Sequence, residues 1–439
     1  MLDFKGFDRE DVLFLLTGLV AYRRILKDEV ISAFAEALEK GSRDKLLDFT
    51  SLLIEKSHNL GLSGVDSTLD NIFRQYLIYK FLLDENVFSL ACENRQNIEN
   101  TVLYEYAKND VVILQGLCGI DYGDGITSNL SDSNSTASNS TASDTGTIAH
   151  GQTSPIKQII QDFENSQKAE EKIKLLISYY QNHGAGDMGR FSMFIFDTEM
   201  FDMGLMGVKN PDPVAFEDII GLKHQKTSLI ENTEAFLSGK PANNVLLVGS
   251  RGSGKSSCIK ALVNRYHDRG LRLVEVQKDQ ITYLPALVEN LAARGKYFII
   301  YMDDLSFEQS ETQYKYLKSL LEGSAGGKPD NVIFYATSNR RHIIWEIRTD
   351  RETRVGDADG ELHISDTINE TMSLSDRFGL TLYFLHIDQK EYLEIVMALA
   401  ARRGIEMEPK ILRAKALQWT VEHKRMSGRT AVQFLNQLV

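Results

Sequence analysis

Apolar positions recur at helical spacing through the first 120 residues of the 439-residue chain. Asp8 and Asp11 mark a helix start, and Leu16, Leu19, Val20, Ile25, Leu26, Ile31, Phe34 and Leu38 follow on a helical stripe. A second stripe runs through Leu46, Leu47, Leu53 and Ile54, and a third through Ile72, Phe73, Tyr76, Leu77 and Phe81. Such stripes read as core-facing helix surfaces rather than as a cofactor site. From Asp121 to Pro155 apolar positions nearly vanish, and Asn134-Ser-Thr-Ala-Ser138 is repeated at once as Asn139-Ser-Thr-Ala-Ser143. A segment of that composition cannot offset the entropy of ordering, so 121–155 is predicted to be a disordered loop or linker. The helical pattern resumes with Ser154 as N-cap, Pro155 in the first turn, and Ile156, Ile159, Ile160 and Phe163 on one face. A further helix is predicted over Ala169–Tyr180, making 156–210 a continuation of the helical region 1–120. Gly184-Ala-Gly186-Asp-Met-Gly189 spells GxGxxG, but a charged helix precedes it where a dinucleotide fingerprint needs a strand.

Beyond residue 211 the pattern alternates. Strands are predicted near 245–248, 271–276, 297–302, 331–336 and 380–385, with helices between them. Residues 211–387 therefore read as an α/β core with a doubly wound, mostly parallel, five-stranded sheet. The remainder, 388–439, carries three helical stripes and reads as a helical lid. These run through Tyr392, Ile395, Val396 and Leu399, then Ile411, Leu412 and Leu417, then Val432, Leu435 and Leu438.

The chemistry concentrates at the end of the first of these strands. Gly249-Ser250-Arg251-Gly252-Ser253-Gly254-Lys255-Ser256 is GxxxxGK[ST], with Ser257 following in an apolar-periodic helix. The glycines let backbone N–H groups turn toward phosphate oxygens, and the helix N-terminus adds partial positive charge. Lys255 is predicted to reach the β- and γ-phosphates of ATP, with Ser256 a Mg²⁺ ligand. About fifty residues on, the strand Tyr297-Phe-Ile-Ile-Tyr-Met302 ends in Asp303-Asp304. Asp303 is placed to support Mg²⁺, and Asp304 to orient or deprotonate the attacking water.

In these motifs and their order, residues 212–439 resemble the AAA+ ATPase family. Phe216-Glu-Asp-Ile-Ile-Gly221 is similar to the family's segment before the first strand, so the resemblance makes Ile219, Ile220 and Gly221 base contacts. Asn331 to Asn339 looks like the next core strand, ending in the sensor-1 residue Asn339, which would help Asp304 hold the water. Ser375-Asp-Arg377-Phe378-Gly379 resembles the arginine-finger segment, which implies that Arg377 acts on a neighbouring subunit in a homo-oligomer; Arg340 and Arg341 compete for that role. Ser427-Gly428-Arg429-Thr430-Ala431 looks like sensor 2 and adds Arg429 to the nucleotide contacts. More narrowly, the whole chain resembles an uncharacterised bacterial family of AAA+ ATPases with a helical N-terminal region. Two departures stand out. The family's usual Asp-Glu is Asp-Asp here, and Tyr283-Leu284-Pro285 stands where protein-threading members carry an aromatic–apolar–Gly triplet. The polar stretch between Trp345 and Leu374 reads as an insertion.

Composition narrows the alternatives. With 43% hydrophobic and 25% charged residues the chain has globular composition. The net charge of −12 is uneven: residues 211–439 hold 30 basic and 30 acidic residues, leaving 19 and 31 in 1–210. An acidic first half suits a protein partner better than nucleic acid. A DNA-associated alternative rests on Arg402, Arg403, Lys410, Arg413, Lys415, Lys424 and Arg425, a mild surplus without a helix-turn-helix. No Asn-Lys-x-Asp segment reads guanine, and the nine histidines form no metal-ligand spacing. Three dispersed cysteines and the short apolar run Val12–Ala21 point to a cytoplasmic protein without a membrane span. The function expected is ATP hydrolysis in an oligomer that remodels a macromolecular partner. The alternative is a nucleotide-controlled switch with little hydrolysis.

Overall fold

The computed structural model describes residues 8–62, 68–120, 155–199, 204–305, 313–322, 329–339, 377–423 and 426–438. It divides into two compact units, Met1–Arg190 and Phe191–Val439. The Ser/Thr/Asn-rich segment up to Ser154, the insertion 345–374, and Arg340 and Arg341 lie outside the described residues.

The first unit is helical among its described residues. In chain order these are α1 (Arg9–Thr17), α2 (Glu29–Lys40), α3 (Arg43–Asn59), α4 (Leu69–Leu83), α5 (Val87–Glu93), α6 (Val102–Gly119), α7 (Pro155–Asn165) and α8 (Ala169–Asn182). Their starts follow from local chemistry. Asp8 and Asp11 form a reciprocal capping box on α1, Asp28 accepts from the first N–H groups of α2, and Thr101 caps α6. Helices from both sides of residues 121–154 share one core, with Phe34, Phe73, Leu77 and Leu114 beside Phe163, Leu176 and Tyr180. The rings of Phe34, Phe49 and Phe73 meet at centroid separations of 4.6–5.2 Å. Val20, Leu47 and Ile54, expected on the buried stripes, are exposed. Leu47 and Ile54 directly follow the buried Leu46 and Leu53, and consecutive helical residues point some 100° apart.

A buried acid ties α6 to the turn after α1. Asp110, on α6, has no exposed surface and accepts hydrogen bonds from the backbone N–H of Val20 at 3.0 Å and Tyr22 at 2.9 Å. Burial raises its carboxyl above the ordinary range, and the bonds from Tyr22, Val20 and Ala21 work against that. Asp110→Ala would strand donors that helical bonding does not use. Urea denaturation is expected to show a loss of about 1–3 kcal/mol; a variant as stable as the parent would refute the assignment.

The second unit is built on a seven-stranded sheet among the described residues, two more strands than expected. The strands are β1 (Met193–Phe196), β2 (Leu205–Gly207), β3 (Val245–Gly249), β4 (Leu271–Glu275), β5 (Tyr297–Met302), β6 (Val332–Ser338) and β7 (Leu380–Phe384). Their order is β2-β1-β4-β5-β6-β3-β7. Every pair is parallel except the edge pair β1–β2. The two unexpected strands lie in 193–207, which the sequence pattern assigned to the helical region. The five expected strands occupy adjacent places, β4-β5-β6-β3-β7.

Helices α9 (Lys223–Leu237), α10 (Lys255–Tyr266), α11 (Leu284–Ala292) and α12 (Gln313–Glu322) accompany the sheet. Val245, Leu247, Ile299, Tyr301, Ile333 and Tyr335 form one core with Leu229 and Phe236 of α9 and Ile259 and Leu262 of α10. Residues of the opposite parity, such as Leu246, Ile300 and Phe334, are buried as well. Burial on both faces is what a parallel sheet requires and why its strands read as continuous apolar runs.

After β7, helices α13 (Gln389–Arg402), α14 (Pro409–His423) and α15 (Gly428–Asn436) close around their own core of Tyr392, Val396, Leu412, Ala416, Phe434 and Leu435. Two consecutive residues divide between the cores: Ile219 packs on the sheet core and Ile220 on the three-helix core. Among the described residues no helix is long and apolar enough to cross a membrane.

Candidate functional site

β3 pairs with β6 on one side and β7 on the other, yet the chain leaves β3 through α10 for β4, beyond β6 and β5. The carboxyl end of β3 is thus a switch point of the sheet, where parallel α/β folds open a crevice. Residues 249–254 turn there, and the carboxyl ends of β5 and β6 bring Asp303, Asp304 and Asn339 to the same edge. Two glycines make the turn possible. A Cβ on Gly249 would lie 2.2 Å from the carbonyl oxygen of Phe384 on β7. Gly252 turns at φ +78°, which strains any side chain, and a Cβ there would press within 3.1–3.3 Å of Ser427 and Arg429 at the start of α15.

A cleft of about 1320 Å³ opens above this edge. Its walls are the 212–225 segment, the loop from Arg251 to Ser257, Asp303, Asp304, Asn339, residues 385–388, and faces of α13 and α15. Of the residues expected to act together, Ile219, Ile220, Gly221, Arg251 to Ser257, Asp303, Asp304, Asn339 and Arg429 all line it. Gly249 and Ser250 lie at the root of the loop, where their carbonyls accept from Lys255. Arg377 does not line the cleft. It is exposed and precedes β7, whose carboxyl end is the one beside the loop, so it sits at the opposite edge of the sheet, about 16 Å of strand away.

Lys255 opens α10 and is buried. Its Nζ donates to Gly249 O at 2.8 Å, Ser250 O at 3.0 Å and Asn339 Oδ1 at 2.9 Å. Burial draws its pKa below the ordinary lysine range, against the pull of Asp303 and Asp304. Asp303 is the most heavily hydrogen-bonded group of the site. Its Oδ1 accepts from Ser256 Oγ at 3.1 Å, Tyr301 Oη at 2.7 Å, Asp304 N–H at 3.2 Å and the Thr337 hydroxyl. Burial alone would raise this carboxyl, but the bonds from Thr337, Tyr301 and Ser256 outweigh it and hold the group below its usual range. Burial pushes the Tyr301 hydroxyl up, which keeps it a donor. Asp304 has φ +52°, an uncommon left-handed conformation for a residue with a side chain. Its N–H donates to Thr337 Oγ1 at 2.9 Å, its Oδ1 accepts from Asn339 Nδ2 at 2.6 Å, and its Oδ2 from Arg251 at 3.0 Å.

The far wall is pinned from two sides. Lys226 of α9 donates to Phe216 O at 2.8 Å and to Ile219 O, while Arg402 of α13 pairs with Asp218 at 2.6 Å. Sequence motifs did not single out Tyr301, Thr337, Lys226 or Arg402 for these tasks. Two of them carried a signal: Tyr301 and Thr337 each lie two residues before a site residue, on the same face of their strand. Lys226 and Arg402 act on partners fixed only by tertiary packing.

A glycine-rich turn between a buried strand and a helix, facing carboxylates on neighbouring strands of a parallel sheet, defines a P-loop fold. Residues 189–439, more than half of the chain, match the family described as "Protein of unknown function (DUF815)", and the chain belongs to that family. No curated protein matches it. Similar solved structures include the Holliday junction branch migration motor RuvB of Thermotoga maritima, at 15% identity and TM-score 0.30. Two single-residue variants of that protein match at 15% and 14% identity with TM-score 0.32. Each comparison covers 51% of this chain and 72% of the other.

Proposed function

We propose that this chain is an ATP-hydrolysing AAA+ protein whose cleft takes ATP with Mg²⁺. The observation that carries the reading is the convergence of Lys255, Ser256, Asp303, Asp304 and Asn339 at one switch-point edge, facing Arg429 from α15. The loop amides and the start of α10 would cradle the phosphates, and Lys255 would turn from the loop carbonyls to the β- and γ-phosphates. Ser256 and Asp303 fit a Mg²⁺ ion: they already meet through a hydrogen bond, and Asp303 is held ionised. Bound there, the ion would neutralise charge on the β- and γ-phosphates. Asp304 would direct the attacking water, with Asn339 fixing its carboxylate, and Arg429 would approach the phosphates from α15. Ile219, Ile220 and Gly221 would face the base. The three-helix group acts as a lid, with the Arg402–Asp218 ion pair as one latch.

The active form is a homo-oligomer. Arg377, at the edge of the sheet away from its own cleft, is disposed to serve a neighbour's site. A protein partner is assigned to the acidic N-terminal unit, nucleic acid is not favoured, and the setting is cytoplasmic. One observation favours a second reading, a switch that binds ATP and turns it over poorly: Asp304 is a carboxylate on a short stem, held by Arg251 and Asn339 at once.

ATP turnover per subunit, measured against protein concentration, tests both. The expected result is specific activity that rises as subunits associate and stays low at every concentration for Arg377→Ala, with ATP still bound. ATP binding without turnover at any concentration would discard hydrolysis in favour of the switch.

A further inference from the structure

We propose that Arg251 is a positioning residue for Asp304: a phosphate-loop arginine that aims the water-directing carboxylate of its own subunit. This rests on the reading of the cleft as an ATP site.

The contacts form a chain that begins and ends on the same loop. Arg251 donates to Asp304 Oδ2 at 3.0 Å, Asn339 Nδ2 donates to Asp304 Oδ1 at 2.6 Å, and Lys255 Nζ donates to Asn339 Oδ1 at 2.9 Å. The main chain of Asp304 is fixed separately, by its N–H on Thr337 Oγ1 and by the next residue, whose N–H donates to Thr337 O at 2.7 Å. Strand β6 therefore sets where Asp304 sits, while Asn339 at its end and Arg251 on the phosphate loop together set where the carboxylate points. The ion pair is open to solvent, with side chains 63% and 44% exposed. A pair this exposed adds little to folding stability, so its contribution is direction rather than strength.

The arrangement also explains why a second anchor is needed. Asn339 can present its NH₂ to Asp304 because its carbonyl is occupied by Lys255. When phosphate draws Lys255 away, Asn339 loses the contact that orients its amide. Arg251 then remains as the hold on Asp304 that does not depend on Lys255. Guanidinium suits this task better than ammonium, because its donors form a planar fork of fixed direction. The short aspartate gains from that direction what a longer glutamate would gain from reach.

The test uses the full-length protein with ATP and Mg²⁺, measuring single-turnover hydrolysis, where slow rates stay readable, and the Kd for ATP by calorimetry. Arg251→Ala is expected to slow hydrolysis about 10- to 100-fold. The Kd should stay within about twofold, the signature of a group that acts on the transition state and not on binding. Arg251→Lys should recover part of the rate. Added to Asp304→Asn, Arg251→Ala should cost nothing more, because its effect passes through the missing carboxylate. A Kd weakened about tenfold or more at unchanged rate would make Arg251 a phosphate ligand instead. An equal further loss in the Asp304→Asn background, or an unaltered rate in Arg251→Ala, would overturn the proposal while leaving the ATPase reading intact. A parent protein that binds ATP and never hydrolyses it would sink the hydrolysis reading and this proposal together.

Discussion

Asp304→Asn should leave ATP bound and slow its hydrolysis severely. The substitution removes the negative charge that would draw a proton from the attacking water. It also puts an amide NH₂ or a neutral oxygen where Arg251 now meets a carboxylate at 3.0 Å. The bond from Asn339 has a surviving acceptor, so the local backbone, fixed by Thr337, should hold. General-base contributions of this kind are worth roughly 10²- to 10⁴-fold in rate. The Kd for ATP should fall slightly if it changes at all, because a negative charge near the phosphates has gone. The measurement is turnover beside ATP binding in the same preparation. A variant that keeps a third or more of the parent rate would remove Asp304 from the mechanism, and the acid would have to be sought elsewhere.

Lys255→Ala should act on the other side of that divide and lose affinity as well as rate. The ammonium is held by three oxygens, but burial depresses its pKa, and a phosphate would improve the site. Charge-assisted hydrogen bonds to phosphate are worth about 1.5–3 kcal/mol each, so the Kd should weaken by roughly 10- to 100-fold. Loss of the charge facing the γ-phosphate should lower the hydrolysis rate by a further factor of about 10²–10³. The nucleotide-free variant should melt somewhat below the parent, since the carbonyls of Gly249 and Ser250 and the amide of Asn339 lose their donor. Unchanged ATP affinity in a folded Lys255→Ala protein would contradict the assignment of the loop as the phosphate site.

The elements that carry this chemistry were legible because their signals are local. β3, the glycine-rich turn and α10 occupy some twenty consecutive residues with fixed spacing, and the apolar runs at 297–302 and 332–338 are long enough to read as buried strands. The pairing of Arg251 with Asp304 was not legible. The two lie 53 residues apart and meet only because β5 is laid down two strands from β3, with β6 between them. β1 and β2 escaped for a different reason. Four and three residues are too short for a periodicity, and β1 finds its parallel partner, β4, far downstream. In the first unit the stripes gave the helices but overstated the buried face at Leu47 and Ile54, since α3 buries one side only and these residues point some 100° away from their buried neighbours Leu46 and Leu53. The opposite-edge position of Arg377 follows from strand direction alone, once β7 is known to run parallel to β3.

Ile219 and Ile220 give the cleft a mechanical character. Their side chains are rooted in different cores, the first with the sheet and the second with α13–α15, and one peptide unit joins them. Any swivel of the three helices over the sheet must load that peptide as a torsion bar or pull one isoleucine from its socket. Full burial of such a side chain is worth about 1.5–3 kcal/mol, and these two are partly buried, so extracting either costs less than that. That ceiling sets the force scale on which a ligand in the cleft that these two residues line would stiffen or release the joint.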